Sequence, residues 1–173
     1  MRNLVSLRHL HFNDPELVPA EVRFLTRLQT LSVFVVGPDH MVEELGCLNE
    51  LKGELKICKL EQVRDKEEAK KAKLREKRMD RLVLEWSDED NRNVNNEGAL
   101  EGLQPHPDIR SLTIKGYGGE KFSSWMSTLQ HNNLMPWDVP LQVYAFITFA
   151  LLLPQVIKLL QNKALEFIFK GNA

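Results

Sequence analysis

Leucines recur in this chain at a spacing that suits a stack of similar units. The first run is Leu4-x-x-Leu7-x-x-Leu10-x-Phe12, and the second is Leu25-x-x-Leu28-x-x-Leu31-x-Val33, displaced by the same step at each of the four positions. Looser copies follow: Leu48 and Leu51 lead to Leu55-x-Ile57, Met79 leads to Leu82-x-Leu84, and Ile109 leads to Leu112-x-Ile114. With Leu10, Leu31, Leu55, Leu82 and Leu112 taken as equivalent, the successive steps are 21, 24, 27 and 30. Side chains alternate across a strand, so both apolar residues of each L-x-L element point to one face. That face needs a neighbouring unit to cover it.

Units of roughly 20–29 residues with this signature are leucine-rich repeats. The expected fold is an α/β, irregular leucine-rich-repeat solenoid, with parallel strands on the concave side and helices and loops on the convex side. Residues 67–77 (EEAKKAKLREK) predict a convex helix, since strong helix formers fill the run and no Gly or Pro interrupts it. Ala69 and Ala72 share a face there and can pack closely. Residues 87–98 (SDEDNRNVNNEG) are polar and turn-prone and predict a surface loop. The pattern is already running at Leu4 with no polar cap before it, so an upstream portion is expected. No apolar h-region marks a signal peptide.

Composition narrows the function classes. A net charge of −1 and a pI near 6.5 argue against a nucleic-acid binder. The two cysteines, Cys47 and Cys58, have no partner set for a zinc site and read as reduced thiols. His9 and His11 alone do not make a metal site, because structural zinc takes four ligands. His106, between Pro105 and Pro107, marks a stiff turn. Glu97, Glu101 and Asp108 are spread over a loop and turn with no pairing for acid–base work. No catalytic, cofactor-binding or metal-binding residue is expected, and the chain is not expected to be an enzyme.

A set of short motifs appears in order: residues 28–37 (LQTLSVFVVG), Glu44 to Gly46, residues 51–57 (LKGELKI), residues 60–63 (LEQV), Glu68 and Ala69 with Ala72, residues 82–86 (LVLEW), residues 100–106 (LEGLQPH), residues 117–122 (YGGEKF), then Trp125 and Met126. Together they resemble the start of the repeat region of plant nucleotide-binding, leucine-rich-repeat disease-resistance proteins of the coiled-coil class, over residues 1–134. Ser123 departs from the proline that such proteins usually carry there, and from Pro136 onward no further repeat is recognisable. The resemblance implies a cytoplasmic protein of innate immunity. It implies that the repeats contact a pathogen effector or a guarded host protein, and fold back on the nucleotide-binding domain of a parent receptor. The family's nucleotide switch is not carried over: Gly116 to Lys121 is no phosphate loop, because Phe122 follows the lysine and Glu120 before it would repel phosphate.

Residues 135–173 form a divergent hydrophobic tail, expected to be helical. Residues 139–157 hold no charge, but Pro140 and Pro154 leave a short span between them. Three readings stay open for this tail: a run without an evolved role, an element packed under the last repeat, and a membrane anchor. Membrane association rests on residues 139–157 alone. The competing functions are a membrane-tethered small repeat protein or decoy, a ubiquitin-transfer adaptor, and a non-functional truncated product.

The strand alignment places His9, His11, Thr30, Ser32, Glu54, Lys56, Arg81, Val83, Glu85, Ser111, Thr113 and Lys115 on the concave face. This is the expected protein-binding surface. Leu82, Leu84 and Trp86 fall on the core face, as does Val33.

Overall fold

A computed structural model describes residues 6–12, 21–87, 95–126, 129 and 167–170. Its strands are β1 (His9–Leu10), β2 (Thr30–Leu31), β3 (Val33–Val35), β4 (Gly53–Cys58), β5 (Met79–Glu85), β6 (Ser111–Lys115) and β7 (Phe167–Lys170). Strand β1 pairs with β2, and β3 to β7 form a second sheet in sequence order. The pairings from β1 to β6 are parallel. Parallel neighbours need a crossover between them, and the chain between each pair of parallel partners supplies one.

The registers test the repeat steps directly. Leu10 pairs with Leu31, Leu55 with Leu82, and Leu82 with Leu112, giving the expected steps of 21, 27 and 30. The second step differs. Phe34 pairs with Ile57, an offset of 23 where 24 was expected. The cause is a bend at Ser32 that separates β2 from β3. Leu31 and Phe34 are both fully buried although three residues apart, a spacing that would point them to opposite faces of an uninterrupted strand. Ser32 joins the two sheets through its backbone: its N–H donates to the Leu10 carbonyl (3.3 Å), and its carbonyl accepts from the Lys56 N–H (3.0 Å).

Two rows of apolar side chains run across the strands. Leu55, Leu82 and Leu112 form one; Phe34, Ile57, Leu84 and Ile114 form the other. All are at most 1% exposed. Burying each such side chain contributes on the order of 1.5–3 kcal/mol of transfer free energy. Trp86 extends the core at 2% exposure and meets Tyr117 edge to face.

Short helical segments cover these rows: turns at Val22–Phe24, Val42–Cys47, Leu60–Gln62 and Leu74–Glu76, with helices α1 (Lys66–Lys71) and α2 (Asn96–Gly102). The helix predicted over residues 67–77 is therefore shorter, because Lys73 adopts φ 51°, a left-handed conformation that ends it. Asp65 caps α1 by accepting from the Glu68 N–H (2.8 Å). Ala69 and Ala72 are fully buried. Glycines permit close approach on either side of α1: a Cβ on Gly46 would collide with the Lys71 carbonyl, and one on Gly102 would collide with the Ala69 Cβ and lie 2.6 Å from the Lys66 carbonyl oxygen. Lys77, read from the sequence as the end of a helix, is 2% exposed, and its ammonium donates to the Leu48 carbonyl (3.2 Å). Burial lowers its pKa.

Neighbouring units are also tied by carboxylates that accept from an adjacent unit's backbone. Glu44 accepts from the Arg23 N–H (3.3 Å) and Glu61 from the Ser87 N–H (3.0 Å). Glu97 accepts from both Glu120 and Lys121 N–H groups (3.2 Å each), and Glu101 from the Ser124 N–H (3.3 Å). Glu97 and Glu101 thus lie on α2, where the sequence placed a loop and turn. The loop expected over residues 87–98 is corrected at its end: Asn95 accepts from the Gly98 N–H (2.9 Å) and starts α2. Residues 88–94 lie outside the described residues.

In the tail, residues 139–157 lie outside the described residues. Phe167–Lys170 is a strand paired antiparallel to β6, which corrects the expectation of helix for that segment. Among the described residues no helix is long and apolar enough to cross a membrane.

Candidate protein-recognition face

The face of the sheet opposite the core is built by the residues between the buried rows. Glu54, Arg81 and Ser111 are in register across β4, β5 and β6. Val33, Lys56, Val83 and Thr113 form the next row, and Glu85 with Lys115 the one after, alongside Cys58. Lys56 reaches Glu85 at 2.8 Å, and Arg81 approaches Glu54 at 4.0 Å. Lys56 and Glu85 side chains are 34% and 29% exposed, so the pair is partly desolvated, while Arg81 and Glu54 are mostly in water.

Electrostatics leave the thiol on this face unactivated. Burial drives the Cys58 thiol up to about 11; Lys56 opposes this and Glu85 adds to it. A thiol at that value is protonated at neutral pH and a poor nucleophile. Burial acts to lower the Lys56 pKa, but its bond to Glu85 and the nearby Cys58 reverse the balance and raise it.

At the other end, His9 and His11 are exposed and flank half-buried Thr30. The Thr30 hydroxyl lies 3.0 Å from His9 Nδ1 and 3.4 Å from His11 Nε2. Among the described residues no group of three His, Cys, Asp or Glu side chains is placed to hold a metal ion.

Two expected recognition residues offer little accessible surface or free hydroxyl. Ser32 is half-buried, and its hydroxyl is committed to Phe12: it accepts from the Phe12 N–H (2.8 Å) and donates to the Phe12 carbonyl (3.1 Å). Thr113 is 8% exposed, on a strand that has partners along both edges. The remaining residues, Val83, Ser111 and Lys115, are half-buried on this face. Sequence reasoning placed Val83 on this face but missed its other valines. Val33 is buried, as expected, but the bend at Ser32 puts it in register with Lys56, with half-buried Val35 beside Cys58. The run Val33-Phe34-Val35, β-branched on both sides of the largest residue, was the available signal.

The glycine turn after β6 is likewise occupied by the protein's own groups. The Glu120 and Lys121 N–H groups that could face an anion already donate to Glu97, and the Tyr117 hydroxyl donates to the Lys121 carbonyl.

Comparison with known proteins fits this geometry. Residues 42–166 match the family described as R13L1/DRL21 LRRs. Two proteins of Solanum bulbocastanum named for disease resistance are similar: RGA1, 38% identical over 112 residues, and RGA2, 38% identical over 108 residues. These alignments cover 63% and 60% of this chain. A disease resistance RPP13-like protein 1 of Arabidopsis thaliana is 36% identical over 105 residues, 54% of this chain. The chain spans only 11%, 11% and 10% of the lengths of these relatives. No solved structure matches the chain.

Proposed function

The chain belongs to the R13L1/DRL21 leucine-rich-repeat family, and from that premise we propose that it is the protein-recognition and regulatory segment of a plant disease-resistance protein, stacked as a solenoid. It works by binding and not by catalysis. Its partners are a pathogen effector or guarded host protein, and the nucleotide-binding domain of the parent receptor. It acts in the cytoplasm, a reading supported by two cysteines that remain free thiols.

The observation that carries this reading is the open face of β4 and β5. Adjacent strands in register bring Glu54, Lys56, Arg81 and Glu85 together around half-buried Val83. Such a face combines apolar area, which contributes affinity, with charge, which sets register and partner choice. The residues supporting this reading are His9, His11, Thr30, Glu54, Lys56, Arg81, Val83, Glu85, Ser111 and Lys115.

The test is co-precipitation of the chain with the separately expressed nucleotide-binding domain of its parent receptor, comparing wild type with Lys56→Glu and Arg81→Glu. Loss of capture with unchanged circular dichroism supports the reading. Undiminished capture by both variants removes the open face from recognition.

A further inference from the structure

The open face is not the sole charged surface. Where the parallel strands begin, successive passes of the chain present cations along one rim. The Arg8 carbonyl accepts from the Gln29 N–H (2.7 Å), and the Gln29 carbonyl accepts from the Lys52 N–H (2.9 Å). Gly53 is in register with Met79, which sets Lys52 beside Arg78. Arg8, Gln29, Lys52 and Arg78 therefore form a row, with Arg27 just before Gln29. Arg8, Arg27, Lys52 and Arg78 are all exposed.

The carboxylates near the rim each have a partner, Glu50 within the row itself on the neutral Gln29 amide. Glu50 accepts from Gln29 (3.3 Å), Glu54 faces Arg81 (4.0 Å), Asp80 meets Arg110 (3.5 Å) and Asp108 meets His106 (3.6 Å). Among the described residues, none of the four exposed cations has an ion-pair partner. In a chain of net charge −1, this is a local cationic edge in an otherwise balanced surface.

We propose that this rim binds an acidic helix lying across the strands, its carboxylates one per turn meeting cations one per repeat unit. Spacing selects the helix. Adjacent strands lie about 4.7–4.9 Å apart. Residues three or four apart on a helix face lie about 5–6 Å apart. Same-face side chains of an extended segment recur at about 6.6–6.8 Å and fall out of step within a few units. Four chain passes span about 14 Å, the length of roughly ten helical residues. The inference rests on the protein-recognition reading but uses a different surface from the open face.

The probe is a fluorescein-labelled, helix-forming peptide with Glu at i, i+4, i+7 and i+11, titrated with the full chain by fluorescence anisotropy. Its Gln counterpart is the control. The Glu peptide binds and the Gln peptide does not, and affinity falls as salt rises. Reversal of the rim (R8E/R27E/K52E/R78E) weakens binding at least tenfold, whereas Arg75→Glu among the helical segments leaves it unchanged. The charge-keeping set R8K/R27K/K52R/R78K retains binding, which separates loss of charge from loss of fold. Lys56→Glu, whose partner Glu85 lies at the other end of the strand, leaves rim binding intact, so failure of the open face and failure of the rim read out separately. Absence of binding by the Glu peptide overturns the proposal, as does unchanged binding by the fourfold reversal. A single-stranded DNA oligonucleotide of equal charge that binds as tightly overturns it too, in favour of a general polyanion edge.

Discussion

The first two units and the central units of this protein follow the same leucine rule, yet they build different amounts of structure. Between β1 and β2 the repeat is clean, with one step shared by every position, and each strand is two residues long. Between β4 and β5 the pairing slips by one at a register shift between Gly53 and Glu54, yet the strands are six and seven residues long. Regularity of the motif and strength of the sheet run in opposite directions. The extra residues in the longer units are what make α1 and α2 possible, while the shorter ones return through single turns such as Val22–Phe24. A helix needs several residues and a cap before its hydrogen bonds offset its ordering cost. The longer units have that length, and their helices seal the apolar rows that the long strands carry.

The largest expected effect tests this contrast in the core. Leu82→Ala empties a site 1% exposed in the central sheet and should cost about 2–5 kcal/mol. Leu10→Ala, at a half-buried position, should cost on the order of 1 kcal/mol. Urea denaturation of both variants checks it, and equal losses would erase the distinction between the two regions.

Next comes the helical layer of the longer units. Gly102→Ala forces a Cβ against Ala69 and should destabilise by about 1–3 kcal/mol. Gly37→Ala meets nothing within 4 Å and should be close to neutral. Thermal melts of the pair decide whether close approach at α1 matters. A harmless Gly102→Ala would mean that the layer shifts to admit a methyl group.

A smaller effect sharpens the other side of the comparison. Ser32→Ala removes both bonds to Phe12 and should cost about 1 kcal/mol. The change should stay local, with faster hydrogen exchange at the Phe12 amide and unchanged protection in β4 and β5. Spread of the loss into the central strands would show one cooperative unit.

The smallest effect concerns the thiols. Cys47 is exposed and Cys58 is buried with its pKa raised from 9.0 to about 11. Iodoacetamide should modify Cys47 first, with Cys58 responding only toward alkaline pH. A folded-state pKa above the unfolded value means that the protonated Cys58 stabilises below about 9, and that this contribution is lost as pH rises toward about 11. Cys58→Ala should flatten that part of an alkaline stability profile. Equal alkylation rates at neutral pH would show that the centre of the sheet opens readily.

Much of the fold was legible because the leucine spacing and the strand period are both local. Three of four repeat steps, the burial of Ala69 and Ala72, and the core place of Trp86 follow from it. The candidate face was legible only in part. Lys56 and Glu85 lie on the expected face, but their ion pair joins two different repeat units and has no sequence signature. The burial of Val33 was legible, but its register with Lys56 and the place of Val35 were not, because a period of two cannot register a bend.

Sequence by itself determined that this chain makes parallel strands from an L-x-L element, one per unit, and which face of β4, β5 and β6 goes inward. That follows from side-chain alternation and the free energy of burying Leu and Ile. Tertiary structure alone decided the rest: that Ser32 breaks a strand and gives its hydroxyl to Phe12, that Lys77 is drawn inside to the Leu48 carbonyl, that Thr113 is buried on a strand paired along both edges, and that a glycine must stand at 46 and 102. Each depends on atoms from a distant part of the chain, brought into contact by the stacking of one unit on the next, and no local pattern encodes where a neighbouring unit will lie.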